Sequence, residues 1–245
     1  MSIVLKKRFG QNFLIDKNIL NKISNLILFE NSNILEIGPG DGKLTEKILL
    51  KKPSKLTLIE VDKDLFKILC KKYSKLKNLK LINADILELK LIEKYEIVIS
   101  NLPYNISSQV LVKLSTLSNI PKILILMFQR EFAERLLDKK LNSINSLVRC
   151  FYDIKLNFHV SKNCFRPIPK VNSTVLTFQK KKSILINDDE KEDFIIFKRK
   201  LFSHKRKTLK NLLKKYEVKE AFDLNLRVEN LQIEELITLF RSINS

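Results

Sequence analysis

Ile34-Leu35-Glu36-Ile37-Gly38-Pro39-Gly40-Asp41-Gly42-Lys43-Leu44-Thr45 reads as an apolar strand that runs into a glycine-rich turn and then opens a helix. The whole chain has four glycines, and three of them fall in this stretch. Glycine tolerates positive φ and lets a ligand approach bare backbone. Such a concentration at a strand's carboxyl end points to a ligand there, where open α/β sheets bind theirs. Taken alone, the same turn is also an ordinary strand-to-helix connection, so the surrounding chain has to decide.

Working outward, apolar runs alternate with helical patterns. Strands are predicted over residues 56–59, 79–82, 97–99 and 123–128, with helices from Lys43 to Pro53 and over 63–73, 107–114 and 130–137. Upstream, Asp16 is placed to cap a helix whose Ile19, Leu20, Ile23, Leu26 and Ile27 recur at helical spacing. Strand alternating with helix is the pattern of a mostly parallel sheet covered on both faces. Past Ser143 the pattern changes. Residues 151–160 and 174–178 look like two strands flanking Phe165-Arg166-Pro167-Ile168-Pro169-Lys170, which predicts an antiparallel hairpin at the end of the sheet. A charged stretch from Lys180 to Asp189 then leads to helical patterns over 194–202, 208–213 and 233–240. The expected organisation is a sheet domain over 1–182 and a small helical domain over 183–245.

The 245 residues suit one large domain with an appendage, and a 44% hydrophobic content is enough for a sizeable core. Forty-six Lys plus Arg against 27 Asp plus Glu leave a formal charge of +19. That excess favours a polyanionic partner through phosphate neutralisation, although Lys is abundant throughout the chain. Cys70, Cys150 and Cys164 are odd in number and irregularly spaced, which argues against a disulfide framework or a zinc site and for a reducing cytoplasm. No secretory signal or membrane-length apolar run is present in the sequence.

Polar groups end the successive strands: Glu36 to Gly38 and Gly40, then Glu60, Asp85, and Asn101 to Tyr104. A carboxylate such as Glu60 suits the paired hydroxyls of a ribose, and Asp85 suits an adenine amine, though Glu60 alone is more commonly a solvated strand end and Asp85 alone is as often a helix cap. Together they outline a pocket for an adenosine-bearing cofactor, either NAD or S-adenosylmethionine. The spacing is GxGxG rather than GxGxxG, which weakens the dinucleotide reading. Asn101-Leu102-Pro103-Tyr104 separates the two. Pro103 fixes its own φ and holds Leu102 extended, so backbone carbonyls are presented rigidly. With the Asn101 side-chain carbonyl they form converging acceptors, which an exocyclic amine needs if its lone pair is to be aimed at a methyl group. Tyr104 is placed to stack on the base, a contact worth roughly 1–3 kcal/mol.

On these residues the chain resembles the ribosomal RNA adenine N6-dimethyltransferases, most closely the small-subunit branch linked to kasugamycin sensitivity. The matching stretches are Arg8-Phe9-Gly10-Gln11-Asn12-Phe13-Leu14, Leu35-Glu36-Ile37-Gly38-Pro39-Gly40, Ile59-Glu60-Val61-Asp62, Ala84-Asp85, Asn101-Leu102-Pro103-Tyr104-Asn105-Ile106-Ser107 and Phe165-Arg166-Pro167-Ile168-Pro169-Lys170-Val171-Asn172-Ser173. The basic run from Lys198 to Leu209 resembles the family's tail. The resemblance implies a Rossmann-like class I methyltransferase fold. It implies S-adenosyl-L-methionine held by Gln11, Asn12, Leu14, Glu36, Gly38, Gly40, Glu60, Asp85 and Asn101, with Gln11 and Asn12 in a lid. It places the target adenine against Asn101, Leu102, Pro103 and Tyr104, with Phe165 closing the base's other face. One departure stands out: Leu141-Asn142-Ser143-Ile144-Asn145-Ser146-Leu147 lacks the tyrosine and glycine usual before the following strand.

The expected reaction is direct methyl transfer from the sulfonium to N6 of a flipped adenosine, repeated to give N6,N6-dimethyladenosine. It needs no metal, because the sulfonium is already a strong electrophile, and it rests on alignment and electrostatics. Resemblance names two adjacent adenosines near the 3′ end of small-subunit ribosomal RNA, in the immature subunit, modified by a monomer. The basic linker and the Lys198 to Lys210 surface are expected to grip phosphates. Alternatives are a large-subunit adenine methyltransferase of the macrolide-resistance type and a non-catalytic RNA-binding assembly factor. His159 and His204 are assigned no chemistry.

Overall fold

A computed structural model of the protein describes residues 10–216, 218 and 222–244. Lys6, Lys7, Arg8 and Phe9, the start of the basic N-terminal motif, lie outside them. A short strand, β1 (Phe13–Leu14), precedes helix α1 (Lys17–Ser24). Asp16 caps that helix as expected, its Oδ1 accepting from the backbone N–H groups of Asn18 and Ile19. Next come β2 (Asn33–Ile37), α2 (Lys43–Leu49), β3 (Lys55–Glu60), α3 (Lys63–Tyr73), β4 (Leu79–Asn83), β5 (Ile97–Asn101), α4 (Ser107–Thr116), β6 (Ile123–Gln129) and α5 (Arg130–Leu137). A short helix α6 (Asn145–Val148), strands β7 (Tyr152–Val160), β8 (Phe165–Arg166) and β9 (Ser173–Lys180), and helices α7 (Lys191–Ser203), α8 (Leu209–Leu212) and α9 (Ile233–Asn244) complete the order.

Seven strands form one sheet in the order β4-β3-β2-β5-β6-β9-β7. The first five run parallel and β9 runs antiparallel to β6, so the mixed sheet expected from the sequence is present. Strands β2, β3, β5 and β6 are apolar runs because both faces are covered: Leu35, Leu56, Leu58, Val98, Ile99 and Leu124 are all fully buried, whereas the edge strand β4 is partly exposed. Two strands run further than their apolar residues suggest. Strand β5 ends at Asn101, which pairs in register with Met127, and β4 reaches Asn83. Strands β1 and β8 form a separate antiparallel pair, with Phe13 opposite Arg166 and Leu14 opposite Phe165. Two-residue strands leave no alternation to read, and the sequence predicted no strand over 6–14.

The chain divides into two compact units, residues 1–133 with 154–180, and residues 134–153 with 181–245. The linker-based boundary at 182 had kept 134–153 with the sheet. Within the second unit, Leu141 N–H donates to the Glu229 carbonyl at 2.9 Å and the Lys198 ammonium donates to the Ser143 carbonyl. Phe194 and Phe197 of α7 pack on Phe240 of α9 at 5.3 and 5.5 Å between ring centroids. Arg241 forms a fork with both carboxylate oxygens of Glu190 at 2.7 and 2.9 Å. The atypical 141–147 segment is organised by its asparagines. Asn142 Oδ1 accepts from the N–H groups of Ile144 and Asn145, and the buried Asn145 amide donates to the Lys140 carbonyl at 3.0 Å. Asn side chains bond neighbouring backbone in this way, so the loop closes without glycine.

A carboxyl group is buried inside β2. Glu36 of β2 is 1% exposed, and the Thr45 hydroxyl of α2 donates to its Oε2 at 2.6 Å. Burial pushes the Glu36 carboxyl up to about 8 against the lowering effect of that hydrogen bond. The unfolded chain releases this proton near pH ~4.3, whereas the native state keeps it to about 8. Between those values the native state binds more protons, so Glu36's contribution to stability falls as pH rises through the window. We therefore expect Glu36→Gln to have a urea midpoint that gains on wild type between pH 5 and 8.5. A difference that stays constant across that range contradicts the assignment.

Candidate active site

At the carboxyl ends of β2, β3 and β5 lies a cavity of about 320 Å³, near the lower end of the roughly 300–1,000 Å³ found for small-molecule sites. Its floor is the glycine turn. Gly38 has φ +66°, and a side chain there would meet nothing within 4 Å, so bare backbone faces open cavity. Gly40 has φ +60°, and a Cβ would strike the Phe13 ring at 2.7 Å, so here glycine is required for the N-terminal segment to lie over the turn.

The next wall is Glu60, the last residue of β3 and 4% exposed. Its Oε2 accepts from Gly40 N–H at 3.1 Å and its Oε1 from Asp62 N–H at 2.9 Å. Burial raises its carboxyl above the usual range, and backbone N–H groups, those of Asp62 and Gly40 ahead of that of Val61, pull it back down. A carboxylate has about four lone-pair sites, so these bonds still leave it acceptor capacity. Beyond β4, Asp85 lines the cavity while its Oδ1 accepts from Leu87 N–H at 2.8 Å. That bond closes a turn over residues 85–88 and no helix begins there, so Asp85 is not the helix cap that the sequence also allowed. Val61 and Ile86, next to the two carboxylates in sequence, line the same region with apolar surface.

Asn101, Leu102, Pro103 and Tyr104 close the opposite side. The Asn101 amide Nδ2 donates to the Asn12 carbonyl at 3.0 Å. Tyr104 Oη and Ser173 Oγ are 2.7 Å apart, Ser173 being fully buried at the start of β9. Burial raises the Tyr104 phenol above its usual value, so the ring is presented neutral. The N-terminal segment completes the enclosure: Gln11, Asn12 and Leu14 line the cavity, and Gln11 Nε2 donates to Asp62 Oδ2 at 3.0 Å.

The structure thus brings Gln11, Asn12, Leu14, Glu36, Gly38, Gly40, Glu60, Asp85, Asn101, Leu102, Pro103 and Tyr104 onto one cavity. Phe165 is different. It is fully buried in β8 opposite Leu14, within the hydrophobic core, and is not among the residues lining the cavity. A phenyl ring with no exposed face cannot cover a base in this conformation. Asp62 and Ser173 were seen from the sequence only as a helix cap and as part of a motif. Asp62 does cap α3, its Oδ1 accepting from Asp64 N–H at 3.0 Å. Its position two residues past Glu60, in the same turn, was the available signal.

The family profile described as "Ribosomal RNA adenine dimethylase" matches residues 4–245. A protein of Mycoplasmopsis pulmonis named "Ribosomal RNA small subunit methyltransferase A" is 42% identical over 253 residues, spanning 96% of this chain and 97% of that protein. Among solved structures, a dimethyladenosine transferase from Plasmodium falciparum superposes with a TM-score of 0.81 at 27% identity, over 95% of this chain and 97% of that one. The 23S rRNA methyltransferase ErmE superposes with a TM-score of 0.75 over 95% of this chain and all of that one, and at 23% identity this shows a shared fold alone. With its glycine turn, strand-end carboxylates and Asn-Leu-Pro-Tyr turn gathered on one cavity and its length matched almost end to end, the chain belongs to the ribosomal RNA adenine dimethylase family.

Proposed function

We propose that the protein dimethylates N6 of two adjacent adenosines in the 3′-terminal hairpin loop of small-subunit ribosomal RNA, using S-adenosyl-L-methionine. The observation that carries this reading is the arrangement of Asn101. It stands across one cavity from Glu60 and Asp85, with its amide NH₂ already committed to the Asn12 carbonyl. The names of the relatives favour the small-subunit RNA over the large-subunit alternative, for which the likeness is one of fold.

The residues present fit the cofactor. The open backbone at Gly38 gives close approach, the free lone pairs of Glu60 suit ribose hydroxyls, and Asp85 beside Val61 and Ile86 suits an adenine edge and face. Bound there, S-adenosylmethionine would supply an electrophilic methyl group on a positively charged sulfur. Asn101 Oδ1 and the Leu102 carbonyl accept from the target amine and so turn its lone pair out of the ring plane toward that methyl. Tyr104, pinned through Ser173, gives the base a stacking face. Alignment supplies most of the rate in such a scheme. The base must leave its stack to enter, which is easiest in a loop.

The second unit supplies the surface we assign to RNA. From Lys198 to Tyr216 the chain carries nine Lys or Arg and no Asp or Glu. Arg199, Lys200, Lys205, Arg206 and Lys207 are exposed. Lys198 is not part of that surface: it is 4% exposed, and burial lowers its ammonium to about 8. No helix among the described residues is long and apolar enough to cross a membrane. We place the reaction in the cytoplasm, on the assembling subunit, with a monomer as the enzyme.

Incubating the protein with labelled donor and immature small subunits, then digesting the RNA, should yield labelled N6,N6-dimethyladenosine. Label confined to large-subunit RNA overturns the target assignment. Asn101→Ala should lose about 100-fold or more in methylation, the scale of removing one preorganised hydrogen-bonding group, with donor affinity largely kept. Calorimetry on Glu60→Ala should show donor binding weakened by roughly 10–100-fold, as expected for hydrogen bonds to a charged group. Unchanged affinity removes the ribose role.

A further inference from the structure

The reading of Asn101 as the target-holding amide leaves open what sets its orientation. An asparagine amide has an acceptor end and a donor end that are nearly the same shape. Only one end can accept from an adenosine amine. In this structure the choice is made by the N-terminal segment, because the Asn12 carbonyl is an acceptor only and holds the Nδ2 end at 3.0 Å. A flipped amide would set two oxygens against each other.

The segment carrying that carbonyl is itself tied down. Gln11 Nε2 donates to Asp62 Oδ2 at 3.0 Å, and Asp62 N–H donates to Glu60 Oε1 at 2.9 Å. Asp62 is 1% exposed, and among its bonds Oδ1 accepts from Asp64 N–H at the α3 amino end and Oδ2 from Gln11. On the other side, β1 pairs with β8 and Ile15 N–H donates to the Cys164 carbonyl at 2.9 Å. A run of hydrogen bonds and one peptide unit therefore links Glu60, on the donor side, to Asn101, on the target side.

We propose that Asp62 is a positioning residue for methyl transfer: by latching Gln11 it holds the Asn12 carbonyl where it turns the Asn101 acceptor toward the target amine. The proposal rests on the reading that Asn101 holds that amine. Asp62 touches neither substrate nor donor in this account. Its effect passes through the strap, so occupancy of the Glu60 side and readiness of the Asn101 side are coupled in one element.

The test exchanges the two ends of the latch. Gln11→Glu sets a second carboxylate against Asp62. Adding Asp62→Asn restores a donor–acceptor pair of reversed polarity and still caps α3, since Asn caps as well as Asp. At pH 8, Gln11→Glu should lower kcat on RNA by about 10–100-fold, the cost of misplacing a reacting group. In donor-free protein the backbone amides of residues 11–15 should exchange about 10-fold faster, reporting a loosened strap. The Gln11→Glu/Asp62→Asn protein should regain kcat and amide protection by about 10-fold over Gln11→Glu, with thermal midpoints of all three proteins verifying folding. A Gln11→Glu protein with normal kcat, or a double variant no better than the single, overturns the latch. Turnover surviving in Asn101→Ala overturns the target reading instead, and the latch falls with it.

Discussion

The site depends on one buried carboxylate. Glu60 receives the backbone N–H of Gly40 with one oxygen and that of Asp62 with the other, so a single side chain joins the turn after β2 to the turn after β3. Parallel strands end in separate loops, and here strand pairing reaches only as far as Gly38 N–H, which donates to the Ile59 carbonyl at 2.9 Å. Glu60 carries the tie further into both turns, and it is confined almost entirely within protein. Its burial raises the cost of holding charge, and the two N–H groups offset that cost. Glu60 also lines the cavity, so the group that builds the wall is placed to offer a polar contact.

Around that tie the other parts follow from local chemistry. Gly38 and Gly40 hold left-handed φ values that other residues resist, one leaving backbone bare and the other making room for Phe13. Phe13 and Leu14 pair with the β8 segment and bring Gln11 and Asn12 over the cavity. Asn101 ends β5 with its amide held by that strap, and Tyr104 is held by Ser173 from β9. Residues from widely separated parts of the chain are thus placed by hydrogen bonds to backbone or buried hydroxyls, which suits a reaction that relies on alignment.

Much of this was legible in the sequence, for a physical reason. Parallel strands buried on both faces are written as short apolar runs, so Glu60 was visible at the end of its run, and Asp85 as the carboxylate just past the run that closes at Asn83. The β1–β8 pair was not legible, because two-residue strands carry no period and their partners lie far apart in sequence. Phe165 was assigned by resemblance to the target base, yet a conformation pairing β8 with β1 turns that ring into the core. Lys198 sat in a basic run that looked exposed throughout, but helical periodicity in α7 brings every third or fourth residue inward, and Phe194, Lys198 and Leu201 share that buried stripe. The grouping of 134–153 with the C-terminal helices depends on long-range hydrogen bonds such as that from Leu141 to Glu229, which local pattern does not record.

The proposed function requires one cavity to present a methyl donor to an adenosine amine held by Asn101. A crystal structure with S-adenosylhomocysteine bound would decide it. The ribose hydroxyls should lie on Glu60, the adenine amine on Asp85, the backbone of Gly38 against the ligand, and the sulfur toward Asn101 and Leu102. A ligand seated elsewhere, or one whose sulfur faces away from the Asn101 turn, would rule the function out.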